Sequence, residues 1–209
     1  MLLFNDITNN PRHIPVKDGK LIYLPGFIDE RTSEILIDNL RKEIIWKQET
    51  LKIFGRQHLT PRLTAWYGDP GMTYSYSGLK LQPVEWTHTL QEVKKQIEQK
   101  LYFTFNSVLL NWYRNGNDSM GWHADDEKEL GKNPVIASLS LGQSRFLHFR
   151  RKDNHKDSFK ILLENGSLLI MSETLQHYWQ HALPKSTKPM GERMNLTFRT
   201  ILPGKNTSE

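Results

Sequence analysis

No cysteine occurs anywhere in the 209 residues. Disulfides, thiolate metal sites and a cysteine nucleophile are excluded together, so any metal must sit on His, Asp or Glu. Long apolar runs are missing as well. The opening Met1-Leu2-Leu3-Phe4 gives way at once to Asn5, Asp6 and Asn9, which is too short for a signal peptide, and no later stretch approaches a membrane span. The expectation is a cytoplasmic protein, of bacterial-cytosol type, without a membrane partner. There is no repeat, no low-complexity tract and no linker, so residues 1–209 are expected to form one domain.

What is present fits a folded protein. Hydrophobic residues make up 37% and aromatics 11% of the chain, with six Trp, enough to bury a core and far from the composition of disorder. The formal charge of +5 favours an anionic partner through long-range attraction.

Apolar residues at three- and four-residue spacing predict an amphipathic helix over 29–48, carried by Ile35, Leu36, Leu40, Ile44 and Ile45, and a second over 86–101, carried by Trp86, Leu90, Val93, Ile97 and Leu101. Between them, residues 53–78 are rich in aromatics and turn formers such as Gly68-Asp69-Pro70-Gly71, which predicts short strands and exposed hairpins. After Tyr102 the apolar runs shorten. Strands are expected over 104–113, 135–141, 145–151, 159–163, 167–171 and 195–202, bounded by Gly, Asn, Pro or Asp. The class is α+β, with a mainly antiparallel sandwich or jelly roll at residues 102–203 and helices and hairpins at 1–101.

The chemistry concentrates in two segments. His123 and Asp125 are two apart, and in extended backbone such residues project to one face, presenting an imidazole nitrogen and a carboxylate oxygen together. A third ligand would come from His148, His155, His177 or His181. Two His and one carboxylate leave open positions on an octahedral metal, as in non-haem iron(II) oxygenases. In the second segment, Arg193, Asn195, Thr197 and Arg199 line one face of a strand. Arg binds carboxylate through paired charge-assisted hydrogen bonds, so this face suits a dicarboxylic keto acid such as 2-oxoglutarate.

Taken in order, Asn111-x-Tyr113, His123-x-Asp125, Trp179-x-His181 and Arg193-Met194-Asn195-Leu196-Thr197-Phe198-Arg199 resemble the AlkB family of nucleic-acid dealkylases over about residues 53–202. Tyr67-Gly68-Asp69 and Thr73-Tyr74-Ser75-Tyr76-Ser77-Gly78 are similar to the branch of the two human nuclear DNA-repair dioxygenases. The resemblance implies a double-stranded beta-helix (a distorted jelly roll) with N-terminal helices and a nucleotide-recognition hairpin region. It implies iron(II) on His123, Asp125 and His181, which would then be the catalytic residues, O2 as co-reactant, and 2-oxoglutarate against Asn111, Tyr113, Arg193, Asn195, Thr197 and Arg199. Arg193 would take the far carboxylate and Arg199 the keto-acid end.

The same resemblance implies oxidative removal of methyl groups from bases such as 1-methyladenine and 3-methylcytosine in DNA, by a monomer, releasing formaldehyde, succinate and carbon dioxide. Tyr74, Tyr76 and Ser77 match positions lining the lesion pocket. Phe54, flanked by Gly55 and Arg56, matches a finger that fills the gap left by an extruded base. Asp126 and Glu127 carry acceptors for an exocyclic amine or a cationic methylated base. Arg56, Arg62, Arg150, Arg151, Lys152, Lys185 and Lys188 are the expected phosphate contacts. Two alternatives stay open: a dioxygenase acting on RNA or another substrate, and a nucleic-acid binding module without turnover.

Overall fold

The computed structural model describes residues 10–53, 56–71, 74–76, 79–81 and 83–202. Phe54, Gly55 and Ser77 lie outside the described residues, and of Arg56, Tyr74 and Tyr76 only the backbone is described. In chain order the elements are β1 (Arg12–Ile14), β2 (Lys20–Leu24), α1 (Glu30–Glu43), β3 (Thr50–Ile53), β4 (Arg56–Leu59), β5 (Leu63–Gly68), β6 (Tyr74–Tyr76), β7 (Leu79–Leu81), α2 (His88–Leu101), β8 (Ser107–Tyr113), β9 (Met120–His123), a 3-10 turn at Lys128–Leu130, β10 (Ile136–Gly142), β11 (Arg145–Arg151), β12 (Ser158–Leu163), β13 (Leu168–Ser172), α3 (Leu175–Tyr178), β14 (Trp179–Leu183) and β15 (Arg193–Arg199).

Both long helices start where a side chain replaces missing backbone acceptors. Asp29 accepts from the Thr32 amide at 2.8 Å, and Thr87 from the Leu90 amide at 3.3 Å, each cap contributing about 1 kcal/mol. The first helix is shorter than its apolar spacing predicts. Ile44 turns extended at the C-cap, and the Trp46 indole donates to the Leu40 carbonyl, taking up an end-of-helix acceptor. Ile45 accordingly points to solvent at 59% exposure. The second helix begins at His88 rather than Trp86, because Trp86 is occupied in donating to Asp69 at 2.7 Å.

Two antiparallel sheets face each other in a jelly roll. The larger runs β1-β2-β13-β10-β15-β8-β5 and the smaller β12-β11-β14-β9. Alternation along the central strands decides which side chains go where. Val108, Leu110, Ala137, Leu139, Leu141, Met194, Leu196 and Phe198 pack outward against Leu36, Leu40, Leu90, Val93 and Ile97 of the helices. The opposite faces meet the smaller sheet through Tyr113, Ile136, Leu147, Phe149, Leu163, Met171 and Leu183. Each such apolar side chain contributes roughly 1.5–3 kcal/mol when fully buried.

Strands β1, β2 and β14 are not foreseen by hydrophobic pattern. The turn formers Asp18-Gly19 and Pro25-Gly26 bracket 20–24, but Leu21-Ile22-Tyr23-Leu24 is a continuous apolar run without alternation, and Trp-Gln-His-Ala-Leu follows directly on a helical turn without a β-branched residue. Strand β15 starts at Arg193, two residues before its expected start. Gly142 makes this possible. It sits at φ +81°, opposite Arg193 in the β10/β15 register, and a Cβ there would meet the Glu192 carbonyl oxygen at 2.6 Å. The hairpins β3/β4 and β6/β7 stand apart as two-stranded sheets, overlapping the stretch 53–78 where hairpins are expected and reaching three residues beyond it at each end.

Candidate active site

A cavity opens between the two sheets, and it brings both chemical segments together. The ligand atoms of His123, Asp125 and His181 all lie within 4.8 Å of one another. His123 and His181 are cross-strand partners in β9/β14, with ring centroids 4.2 Å apart. His123 Nδ1 lies 2.9 Å from the Gly121 carbonyl oxygen; donating there leaves its Nε2 lone pair for a metal. Of the other candidates, His177 is exposed and lies against Asn133 at 3.0 Å. His148 is paired across strands with Lys160 and Ala182, and His155 is exposed in the loop before β12. None of these three lines the cavity.

Asp125 does not sit on the strand that carries His123. Strand β9 ends at His123, so strand alternation is not what places the carboxylate. Arg199 Nη2 donates to Asp125 Oδ1 at 2.5 Å, and the Asp125 amide donates to Gln176 Oε1 at 3.0 Å. Burial by itself would raise this carboxyl, but Arg199, with His181 and His123, holds it below its ordinary value. Burial, with His123 and Arg199 nearby, pushes the His181 imidazole down to about 3 against the pull of Asp125. The carboxylate is therefore ionised and the imidazole neutral at physiological pH, the forms that bind a metal.

The facing wall comes from β8, β10 and β15. All seven residues of β15 are buried, so its polar face is not a solvated one. Tyr113, Asn111, Ser138, Arg193, Asn195, Thr197 and Arg199 line the cavity. Arg193 is 2% exposed and donates from Nη2 to Ser140 Oγ at 2.9 Å. Its Nε and Nη1 are buried without a hydrogen-bond partner. Burial lowers this guanidinium to about 10, so it stays charged at neutral pH, with two N–H donors unsatisfied beside a cavity. Such orphans are costly unless an anion completes them. A dicarboxylate fits this wall, and the His/Asp/His trio fits a divalent cation with open positions.

Asn195 lines the cavity and is also bonded within its wall. Its amide donates to Ser138 Oγ at 2.8 Å and to the Leu139 carbonyl at 3.0 Å, while its Oδ1 accepts from Thr197 at 3.0 Å. Both N–H groups bond within the wall, so Asn195 organises the face that lines the cavity.

Two of the expected phosphate contacts, Arg62 and Arg151, are corrected. Arg62 is only 7% exposed, and it donates from Nε to Asn111 Oδ1 at 2.8 Å and from Nη1 to the Ser119 carbonyl at 3.2 Å. That bond orients the Asn111 amide so that its NH2 is the group left for a ligand. The sequence carries no signal for this, since residues 62 and 111 meet only through the β5/β8 pairing. Arg151 is buried and ion-paired with Asp18 at 2.7 Å and Asp153 at 2.8 Å. Arg150 lies 4.3 Å over the Trp122 ring and donates to Gln180. Lys152 pairs with Asp126 at 2.7 Å, and Lys185 and Lys188 are exposed. Glu127 is half-buried, and its Oε2 lacks a hydrogen-bond partner. Neither Asp126 nor Glu127 lines the cavity.

The 2OG-Fe(II) oxygenase superfamily matches residues 20–199. Alpha-ketoglutarate-dependent dioxygenase alkB homolog 3 of Homo sapiens is 39% identical over 198 residues, covering 90% of this chain and 68% of that protein. DNA oxidative demethylase ALKBH2 of Homo sapiens is 38% identical over 201 residues, covering 91% and 77%. The solved structure of OsALKBH1 is similar in fold, with a TM-score of 0.64 at 18% identity over 90% of this chain and 100% of that one. No described helix is long and apolar enough to cross a membrane. The chain thus belongs to the 2OG-Fe(II) oxygenase superfamily, whose chemistry uses iron(II), 2-oxoglutarate and O2, and within it to the AlkB family.

Proposed function

We propose that this protein repairs DNA by oxidative dealkylation, removing methyl groups from bases such as 1-methyladenine and 3-methylcytosine. The observation that carries the reading is one cavity with a His/Asp/His trio on one wall and, on the other, a buried Arg193 with two N–H groups awaiting an anion. Its relatives named for DNA demethylation support the choice of substrate. The whole chain works as one monomeric, cytosolic domain, its N-terminal half presenting substrate to the catalytic core.

In this reading His123, Asp125 and His181 would hold iron(II), which with 2-oxoglutarate and O2 would supply the oxidising power for converting an N-methyl group to a hydroxymethyl lost as formaldehyde, with succinate and carbon dioxide as the other products. Arg193, Tyr113 and the oriented Asn111 amide bind the far carboxylate. Arg199 stands at the metal end, where it keeps Asp125 ionised and meets the keto-acid end. Leu109, Leu147, Leu163 and Leu183 line the cavity and keep water from the reacting centre. Phe54 with Gly55 and Arg56 fills the gap left by the extruded base. Tyr74, Tyr76 and Ser77 receive that base, stacking on an aromatic being worth about 1–3 kcal/mol. Asp126 and Glu127 take its exocyclic amine.

The test is incubation with iron(II), ascorbate, 2-oxoglutarate and oligonucleotides bearing a single 1-methyladenine, in duplex DNA, single-stranded DNA and RNA. Mass spectrometry should show the methyl group leaving DNA only when 2-oxoglutarate is present. Succinate formation with every oligonucleotide left intact would sink the substrate assignment, and preference for the RNA would move it.

A further inference from the structure

We infer that Gln176 is the positioning residue for Asp125, and that through it α3 sets how tightly the trio holds its divalent cation. The inference rests on His123, Asp125 and His181 being the metal site.

Three observations carry it. First, Asp125 lies beyond the end of β9, so no strand ladder satisfies its buried amide; Gln176 Oε1 does, at 3.0 Å. Second, Gln176 is 1% exposed, and among the described residues the other end of its carboxamide meets the Met171 sulfur, at 3.7 Å. A thioether is a weak acceptor, so a leucine would fill this place at no loss were packing the whole purpose. The flipped carboxamide would set NH2 against the Asp125 N–H, donor against donor, which fixes the orientation. Third, the Gln176 carbonyl accepts from Lys152 Nζ at 2.8 Å, and the same Nζ donates to Asp126 Oδ2 at 2.7 Å.

Two successive residues of the metal loop are thus tied to one four-residue helix, Asp125 directly and Asp126 through Lys152. That helix runs straight into β14, the strand bearing His181. Asp125 is held from its backbone by Gln176 and from its carboxylate by Arg199, so movement of the loop relative to His181 is restrained on both sides. Partners of this kind, one shell out from a metal, typically govern affinity by about 10–100-fold.

The experiment is Mn(II) binding in the presence of 2-oxoglutarate, followed by electron paramagnetic resonance, for the wild type, Gln176→Leu, Gln176→Glu and Asp125→Ala. Gln176→Leu keeps the volume and loses the acceptor; its Mn(II) dissociation constant should rise about 10–100-fold. Gln176→Glu keeps an acceptor for the Asp125 amide and should bind Mn(II) more tightly than Gln176→Leu. A purely packing role predicts the reverse order, because leucine suits a buried site and a carboxylate does not. Gln176→Leu binding Mn(II) like the wild type, or the reverse order of the two variants, would overturn the inference. Asp125→Ala binding like the wild type would instead overturn the metal-site reading itself. Since a buried substitution can cost the fold, hydrogen exchange of the Asp125 amide in the unaltered chain is the companion measurement. Exchange as slow as that of the β14 amides is expected, and exchange at the rate of an open loop counts against the role.

Discussion

The two walls of the cavity are built by different means. On the 2-oxoglutarate side, Asn111, Tyr113, Arg193, Asn195, Thr197 and Arg199 all stand on strands with a hydrogen-bonded neighbour on each side, β8 between β5 and β15, and β15 between β10 and β8. Register alone places them. On the metal side, His123 is the last residue of an edge strand and Asp125 lies past it. Side chains from distant elements hold Asp125, Arg199 by its carboxylate and Gln176 by its backbone amide. A ladder cannot shift by one residue without turning every side chain to the other face, whereas a tethered loop can be loosened by a single substitution. The cosubstrate wall should therefore tolerate changes behind it better than the metal wall does.

The largest effect should come from the metal wall. His181→Ala is expected to abolish iron retention and turnover while leaving the far-ultraviolet circular dichroism unchanged, since β14 remains paired with β11; retained iron at the wild-type stoichiometry would contradict the division between the walls.

Arg193→Met should separate function from stability. Each hydrogen bond to a charged group is worth about 1.5–3 kcal/mol, so the KM for 2-oxoglutarate should rise roughly 10- to 100-fold. The ligand-free protein should melt no lower than the wild type, because the buried charge with its two orphaned donors is gone. A marked fall in the ligand-free Tm would mean that Arg193 holds the wall together rather than waiting for a ligand.

Arg62→Met probes the same wall from behind. It frees the Asn111 amide to rotate and should raise the KM for 2-oxoglutarate about 10-fold, the lower end for a supporting residue. An unchanged KM would show that the strand ladder alone orients Asn111.

A pH experiment sharpens the join between the walls. The loop from β8 to β9 is closed by Asp118, which accepts from the Arg114 amide, Nε and Nη2. Burial would raise this carboxyl, but Arg114, helped by Arg145, brings it below its ordinary value. A carboxyl whose pKa is lower folded than unfolded adds stability that is complete above the unfolded value, about 3.9, and is lost as pH falls through the folded one. Asp118→Asn should lower Tm at neutral pH and flatten its decline below about pH 4. Parallel curves for the two proteins would argue against that coupling.

The smallest effect is expected on the outer face of the smaller sheet. Arg150→Ala removes the guanidinium over Trp122 and its bonds to Gln180, a partly exposed arrangement worth about 0.5–1 kcal/mol. Tm should move by a few degrees at most, with the KM for 2-oxoglutarate unchanged.

Legibility in the sequence follows the same division. The polar face of β15 is readable from Arg193-x-Asn195-x-Thr197-x-Arg199, because a period of two is a local property of extended chain. The helices are readable except at their ends, where Trp46 and Thr87, through their own hydrogen bonds, set boundaries that apolar spacing cannot see. The His123-x-Asp125 pair is readable as a pair, although the geometry assumed for it, a continuous strand, is not what the structure uses. Arg62 looks like a surface cation in sequence and is a buried donor in the fold. Gln176 carries no signal at all, since a glutamine in a short polar turn is ordinarily a solvated one.

The sequence by itself determined the ingredients and their local alternation: a cysteine-free chain whose metal chemistry must rest on His and carboxylate, and a strand with polar groups on one face and core residues on the other. Only the tertiary structure decided how His181 is brought against His123 and Asp125, which way the Asn111 amide points, and what holds Asp125 beyond the end of its strand. Each of those depends on residues about 50 to 75 positions apart, and contacts at such separations come from sheet pairing and packing, which no local period encodes.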